Sequence, residues 1–142
     1  MKKTMLAAVM ALAVFTASAG EWITDAAKAQ EQAKKENKLV LLDFTGSDWC
    51  GWCIKLKNEV FDKKEFKEYA DKNLVLVEVD FPRKKEQSAE QKKANRELAQ
   101  KYGIRGYPTI IVLDGAGKQV GELGYMKGGP EPFIAELKKL KK

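Results

Sequence analysis

The chain has 142 residues, 44% hydrophobic and 32% charged, with a formal net charge of +6, two cysteines and no histidine. That length suits one domain with its own core rather than two, and a modest basic excess interleaved with acidic residues does not point to nucleic-acid binding. With no histidine and no third cysteine, the usual four-ligand zinc sets cannot be assembled, so no metal is expected.

Residues 1–19 read as a targeting segment. Lys2 and Lys3 give a positive start, Met5 to Phe15 form an apolar run, and Ala17-Ser18-Ala19 is a small-x-small cleavage site. The apolar run is shorter than the roughly 20 residues a spanning helix needs. Removal of 1–19 as a secretory signal peptide is expected, leaving 20–142 as a single soluble domain. Export places the cysteines where disulfides persist.

Glu21 to Ile23 is a short extended lead-in. Thr24 or Asp25 can cap a helix running to about Asn37, with Ala26, Ala29 and Ala33 on one face. Leu39 to Phe44 is almost continuously apolar and reads as a strand buried on both faces. Thr45 to Asp48 is a turn, followed by Trp49-Cys50-Gly51-Trp52-Cys53 and a helical stretch that ends at Val60 and Phe61. Lys64 to Asp71 reads as a second short helix, and Leu74 to Val79 as another buried strand, broken at Phe81-Pro82. Arg83 to Lys93 is a charged, solvated loop leading into a helix that reaches about Tyr102, with Ala94, Leu98 and Tyr102 in line. Thr109 to Leu113 is a β-branched strand, Asp114 to Gly117 a hairpin turn, and Lys118 to Leu123 the return strand. After Gly128-Gly129-Pro130, a helix over 131–141 places Phe133, Ile134, Leu137 and Leu140 on one face. Strand–helix–strand alternation followed by a hairpin predicts a mixed sheet between helices.

The cysteine pair carries the chemistry. A bridge across two residues closes a very small loop and constrains little unfolded-state entropy, so a structural staple is a poor explanation. A dithiol that closes and reopens without rearranging the chain is a better one.

The order of elements, with Trp49-Cys50-x-x-Cys53 ending the first long strand and Gly106-Tyr107-Pro108-Thr109 before the hairpin, resembles the thioredoxin family. The stretch Phe44 to Cys53 is similar to that of exported bacterial thioredoxin-like proteins, and the likeness covers nearly the whole chain after residue 19. It implies an α/β thioredoxin-like fold, a central mixed β-sheet sandwiched by α-helices, and thiol–disulfide oxidoreductase activity with no cofactor beyond the redox-active disulfide. Cys50 would be the exposed attacking thiol; free backbone N–H groups and the positive end of a helix dipole favour a thiolate there. Cys53, one turn further in, would be the resolving thiol. Pro108 would be the family's cis-proline, turning the Tyr107 backbone outward to pair with an extended substrate segment. Asp43 matches the buried acid that shuttles a proton for the resolving thiol, and an aspartate in an apolar strand should have a raised pKa. It stands one residue further from Cys50 than in thioredoxin proper, which leaves Asp48 as a competing candidate. Trp49 either lines the substrate surface or packs as a core aromatic. Gly51, Trp52, Tyr107 and Thr109 complete the expected substrate-binding set.

Thioredoxin proper has Gly-Pro between its cysteines and the disulfide isomerases have Gly-His; this chain has Gly51-Trp52. Without a histidine to stabilise the thiolate, the pair leans towards a reductant. The expected partners are protein thiols and disulfides and, for a periplasmic reductant, a membrane thiol–electron conduit. A monomer is expected. The alternatives are a disulfide oxidase or isomerase, and a non-catalytic binding or chaperone module on the same fold.

Overall fold

The structure, a computed structural model, describes residues 20–140. The targeting segment at 1–19 and Lys141, assigned above to the last helix, lie outside the described residues.

Strands β2 (Leu39–Thr45) and β3 (Leu74–Asp80) run parallel at the centre, paired from Leu39↔Leu74 to Thr45↔Asp80. Their apolar runs put core residues on both faces, as a sheet covered on two sides requires. β4 (Thr109–Leu113) pairs antiparallel with β2, and β5 (Gln119–Leu123) antiparallel with β4. The lead-in is more than an extended segment. Trp22–Ile23 forms β1, parallel to β3, so the sheet order is β1-β3-β2-β4-β5. Two residues are too few to show an alternating pattern; what holds them is tertiary, the Trp22 ring meeting Phe61 at 5.0 Å between centroids.

On one sheet face, Leu39, Leu41, Leu74, Leu76, Ile110 and Val112 share a core with side chains of α3 (Lys64–Asn73) and α5 (Pro130–Leu140). Phe61, Phe66 and Phe133 form a ring cluster in it, with centroids 4.9–6.1 Å apart. The opposite face packs Val40, Leu42, Phe44, Val75, Val77 and Val79 against α1 (Ala26–Glu36) through Ala29 and Ala33, and against Leu98 and Ala99 of α4 (Ala89–Lys101). The result is a mixed sheet sandwiched by helices.

Asp25 is the cap of α1, accepting from the Lys28 N–H at 3.0 Å, and Asn37 closes the helix in the left-handed region at φ 54°. Within α4 the expected line through Ala94 is displaced. Ala94 is exposed and Asn95 is buried. Apolar periodicity misses this because a polar side chain takes the inward position: Asn95 Nδ2 donates to the Asp80 carbonyl at 2.9 Å, and Gln91 donates to Asn95 Oδ1 at 2.8 Å.

Helix α2 (Gly51–Leu56) continues into a wider π-helical turn over Lys57–Phe61, where the Asp62 N–H reaches back to the Lys57 carbonyl at 2.8 Å. The turn buries Val60 and Phe61 and leaves Lys57 on the wall of a cavity beside the cysteines.

Candidate active site

The site is built where β2 runs out. After Thr45 the chain makes one tight turn, with the Trp49 and Cys50 N–H groups both donating to the Gly46 carbonyl, at 3.2 and 2.8 Å. Asp43 lies upstream of that turn, within β2, opposite Glu78 on one side and Ile110 on the other. Cys50 caps α2 and is bonded to Cys53, with the Cα atoms 5.2 Å apart. Its sulfur also accepts the Cys53 N–H at 3.3 Å.

The expected contrast between an exposed Cys50 and a shielded Cys53 is absent in this disulfide state: they are 7% and 5% exposed. The Cys50 sulfur occupies the capping position at the first turn of α2.

Asp43 is buried, and one of its carboxylate oxygens, Oδ1, has no hydrogen-bond partner. Burial, reinforced by the neighbouring Glu78 and Asp80 carboxylates, pushes its pKa from 3.8 up to about 8. It lines a cavity of about 150 Å³ together with Cys53, Lys57, Glu78 and Lys85. Asp48 has a different environment. It accepts the backbone N–H groups of Arg83, Lys84 and Lys85 at 2.8–3.0 Å, which bring its pKa down to about 2. Asp48 is thus a loop anchor, and Asp43 is the acid that shares a cavity with Cys53.

The Tyr107–Pro108 peptide is cis. The loop carrying it meets the loop carrying the cysteines through aromatic contacts. The Trp49 indole lies edge-on to Tyr107 at 5.9 Å, donates its Nε1–H to the Phe81 carbonyl at 2.7 Å, and has the Arg83 guanidinium 3.7 Å from its ring centre. Tyr107 packs in turn on Phe81 at 5.3 Å.

The thioredoxin-like domain family matches residues 26–141. The chain is 41% identical over 112 residues to the disulfide bond reductase DsbH of Chlamydia pneumoniae, covering 79% of this chain and 68% of that one. The chain belongs to the thioredoxin-like family. A solved structure of a DsbH oxidoreductase superposes with a TM-score of 0.80 at 39% identity, over 84% of this chain and 83% of that one. The thiol:disulfide interchange protein DsbD of Pasteurella multocida is 32% identical over 126 residues, 85% of this chain but only 20% of that longer protein. With its paired cysteines, this thioredoxin-like chain is a thiol–disulfide oxidoreductase.

Within this thioredoxin-like domain, the remaining expected site residues divide. Trp52 is 58% exposed and leans on Tyr125 at 5.0 Å, with the Lys55 ammonium 5.3 and 5.4 Å from the two rings. Tyr125 donates to Glu59 at 2.5 Å, which fixes this second aromatic patch on the helix. Gly51 is exposed, and a Cβ there would meet nothing within 4 Å. The Thr109 hydroxyl donates to the Gly106 carbonyl at 2.7 Å and ties the loop to the start of β4. Sequence reasoning passed over Gly46, where a Cβ would collide with the Trp49 indole, and over Glu78, Lys57 and Lys85, which reach the cavity from three separate segments. Only for Glu78 was a signal available, an acid inside an otherwise apolar strand. Among the described residues, no cluster of three or more Cys, Asp or Glu side chains is placed to hold a metal ion, and no helix is long and apolar enough to cross a membrane.

Proposed function

We propose that the mature chain is an exported reductase of protein disulfides. The observation that carries this is the Cys50–Cys53 pair at the start of α2 with Asp43 lining the cavity that reaches Cys53. The Cys50 thiolate attacks one sulfur of a substrate disulfide. A Cys50–substrate bond forms, the substrate S–S bond breaks, and the leaving thiolate takes a proton from solvent. The Cys53 thiol then gives its proton to ionised Asp43 and attacks the Cys50 sulfur. The mixed disulfide breaks and the second substrate sulfur leaves as a thiolate that takes a proton from solvent, so the substrate gains two electrons and the protein holds the Cys50–Cys53 disulfide. The dithiol is the only redox group the cycle uses.

Three observations support the reducing direction and its setting. The similar Chlamydia protein is named a reductase. Gly51-Trp52 gives the dithiol no histidine to stabilise the Cys50 thiolate. Residues 1–19 have the pattern of a cleaved signal. In an oxidising periplasm the reductase is recharged by a membrane thiol–electron conduit. Trp49, Trp52, the Tyr107 backbone and cis-Pro108 receive an extended segment of the protein substrate, and the enzyme acts as a monomer without nucleic acid.

Equilibrating the mature protein in dithiothreitol buffers, with tryptophan fluorescence as readout, tests the direction. A potential near about −270 mV marks a reductant, and one near about −120 mV an oxidant, which overturns the proposal. Absence of any reversible couple removes catalysis altogether.

A further inference from the structure

Asp43 is not alone in facing Cys53. In the parallel register of β2 and β3 it stands opposite Glu78, and both side chains line the same cavity. Neighbouring strands lie about 4.8 Å apart, so register partners on one face are close neighbours. Asp80, two residues further along β3, points to that face as well, but its charge is spoken for. It accepts the Ser47 N–H at 3.0 Å and the Ser47 hydroxyl at 2.5 Å, and Lys85 sits 3.8 Å away. Glu78 is half-buried with a carboxyl contact to Asp80, and Asp43 keeps a buried oxygen with no partner. Two cations reach the cavity from outside the sheet. Lys57 comes from the π-helical turn, where it also pairs with Asp62 at 2.7 Å, and Lys85 comes from the loop after β3.

We propose that Glu78 is a positioning residue for the exchange reaction: it shares one proton with Asp43 across the cavity, and Lys57 and Lys85 set how readily that pair accepts the proton of Cys53. The inference rests on the reading of Asp43 as proton acceptor and adds the group that tunes it. Two carboxyls facing one poorly hydrated space cannot both ionise cheaply, so they titrate as a pair. Each negative charge on Glu78 makes Asp43 a stronger base towards the Cys53 thiol. Each cation at the rim does the reverse. Asp43 is raised by burial, by Glu78 and by Asp80; Glu78 is raised by burial and by Asp80, and lowered by Lys85 and Lys57.

The test uses the mature oxidised chain, ¹³C-labelled at its carboxyls, for NMR titration of Asp43 in the wild type and in Glu78→Gln and Lys57→Met. The Asp43 midpoint is expected to fall by about one pH unit in Glu78→Gln and to rise in Lys57→Met. A structural disturbance has no reason to move it in opposite directions. In parallel, reduced protein is mixed with 5,5′-dithiobis(2-nitrobenzoate). The first chromophoric thiol reports attack by Cys50, and the second reports resolution by Cys53. The pH profile of the second release is expected to follow the NMR midpoints. If the midpoint ignores both substitutions, the pairing of Glu78 with Asp43 is wrong while Asp43 as acceptor still stands. If the midpoints move and the second release does not, or if Asp43→Asn leaves its profile unchanged, the acceptor reading fails and takes this proposal with it. Glu78→Gln is nearly isosteric. Should it nevertheless unfold, Lys57→Met, at the cavity rim, carries the test.

Discussion

The Trp49 indole meets the Tyr107 ring edge-on, with centroids 5.9 Å apart. Trp49 immediately precedes Cys50, and Tyr107 immediately precedes cis-Pro108. The contact therefore couples two loops far apart in sequence, one leaving β2 and one entering β4. It also ties the Trp49 ring into the packing between those loops. The ring is partly exposed, yet its N–H donates to the Phe81 carbonyl, Arg83 lies over its face, and Gly46 lies so close that a Cβ there would strike it. Trp49 packs between the two loops while its ring stays partly exposed, and Trp52 is the freer aromatic.

That packing depends on a glycine. Gly46→Ala places a methyl group inside the Trp49 indole and is expected to destabilise the fold by about 1–3 kcal/mol. Gly51→Ala, two residues from that indole but in open space at the first turn of α2, is expected to be neutral or stabilising by up to about 1 kcal/mol. Urea unfolding of the two oxidised variants checks the pair. Equal effects would mean that the Trp49 packing yields.

Division of labour between the cysteines gives a second expectation. Cys50→Ser should abolish exchange with a protein disulfide. Cys53→Ser should leave the first attack intact and accumulate a mixed disulfide at Cys50, visible as a shifted band on a non-reducing gel and by mass spectrometry. A mixed disulfide forming at Cys53 in Cys50→Ser, as readily as at Cys50 in Cys53→Ser, would reverse the assignment.

Asp43 makes stability depend on pH. Its folded pKa, about 8, lies above the ordinary 3.8. The favourable contribution of its protonated form is thus fully present below about pH 4 and is lost as pH rises through 8. Asp43→Asn, which cannot ionise, should not show this loss. Melting temperatures of the two oxidised proteins should therefore diverge with rising pH, the variant becoming more stable by a few kcal/mol in mild alkali. Parallel curves from pH 4 to 9 would show that Asp43 ionises without cost.

Asp48 acts with the opposite sign. Its three backbone N–H partners hold its pKa down to about 2, so its support for the Arg83–Lys85 loop is present above about pH 4 and is lost as pH falls through 2. Asp48→Ala should speed hydrogen exchange of the Arg83, Lys84 and Lys85 amides by roughly tenfold at neutral pH. Because Arg83 stacks on Trp49, tryptophan fluorescence should change as well. Unchanged protection of those amides would remove Asp48 as their anchor.

Much of the fold was legible because local signals agreed with one another. The apolar runs at Leu39–Phe44 and Leu74–Val79, the hairpin turn at Asp114–Gly117 and the amphipathic last helix each carry their own periodicity. β1 was not legible, since two residues have no period. The inward face of α4 was misplaced because Asn95 is buried by hydrogen bonds rather than by hydrophobicity.

For the site, the sequence by itself determined the reacting groups. Two cysteines one helical turn apart at a strand–helix junction can close a disulfide whatever surrounds them, because that geometry is local. The cis peptide at Pro108 and the burial of Asp43 were expected from their places in the same pattern. Only the tertiary structure decided how differently Asp43 and Asp48 are placed, since one carboxyl is cut off from water and the other is wrapped by backbone N–H groups from residues 83–85. It alone brought Glu78, Lys57 and Lys85 to the cavity beside Cys53. The charge of a buried group is set by its neighbours in space, and those neighbours come from a strand, a turn and a loop with no common signature along the chain.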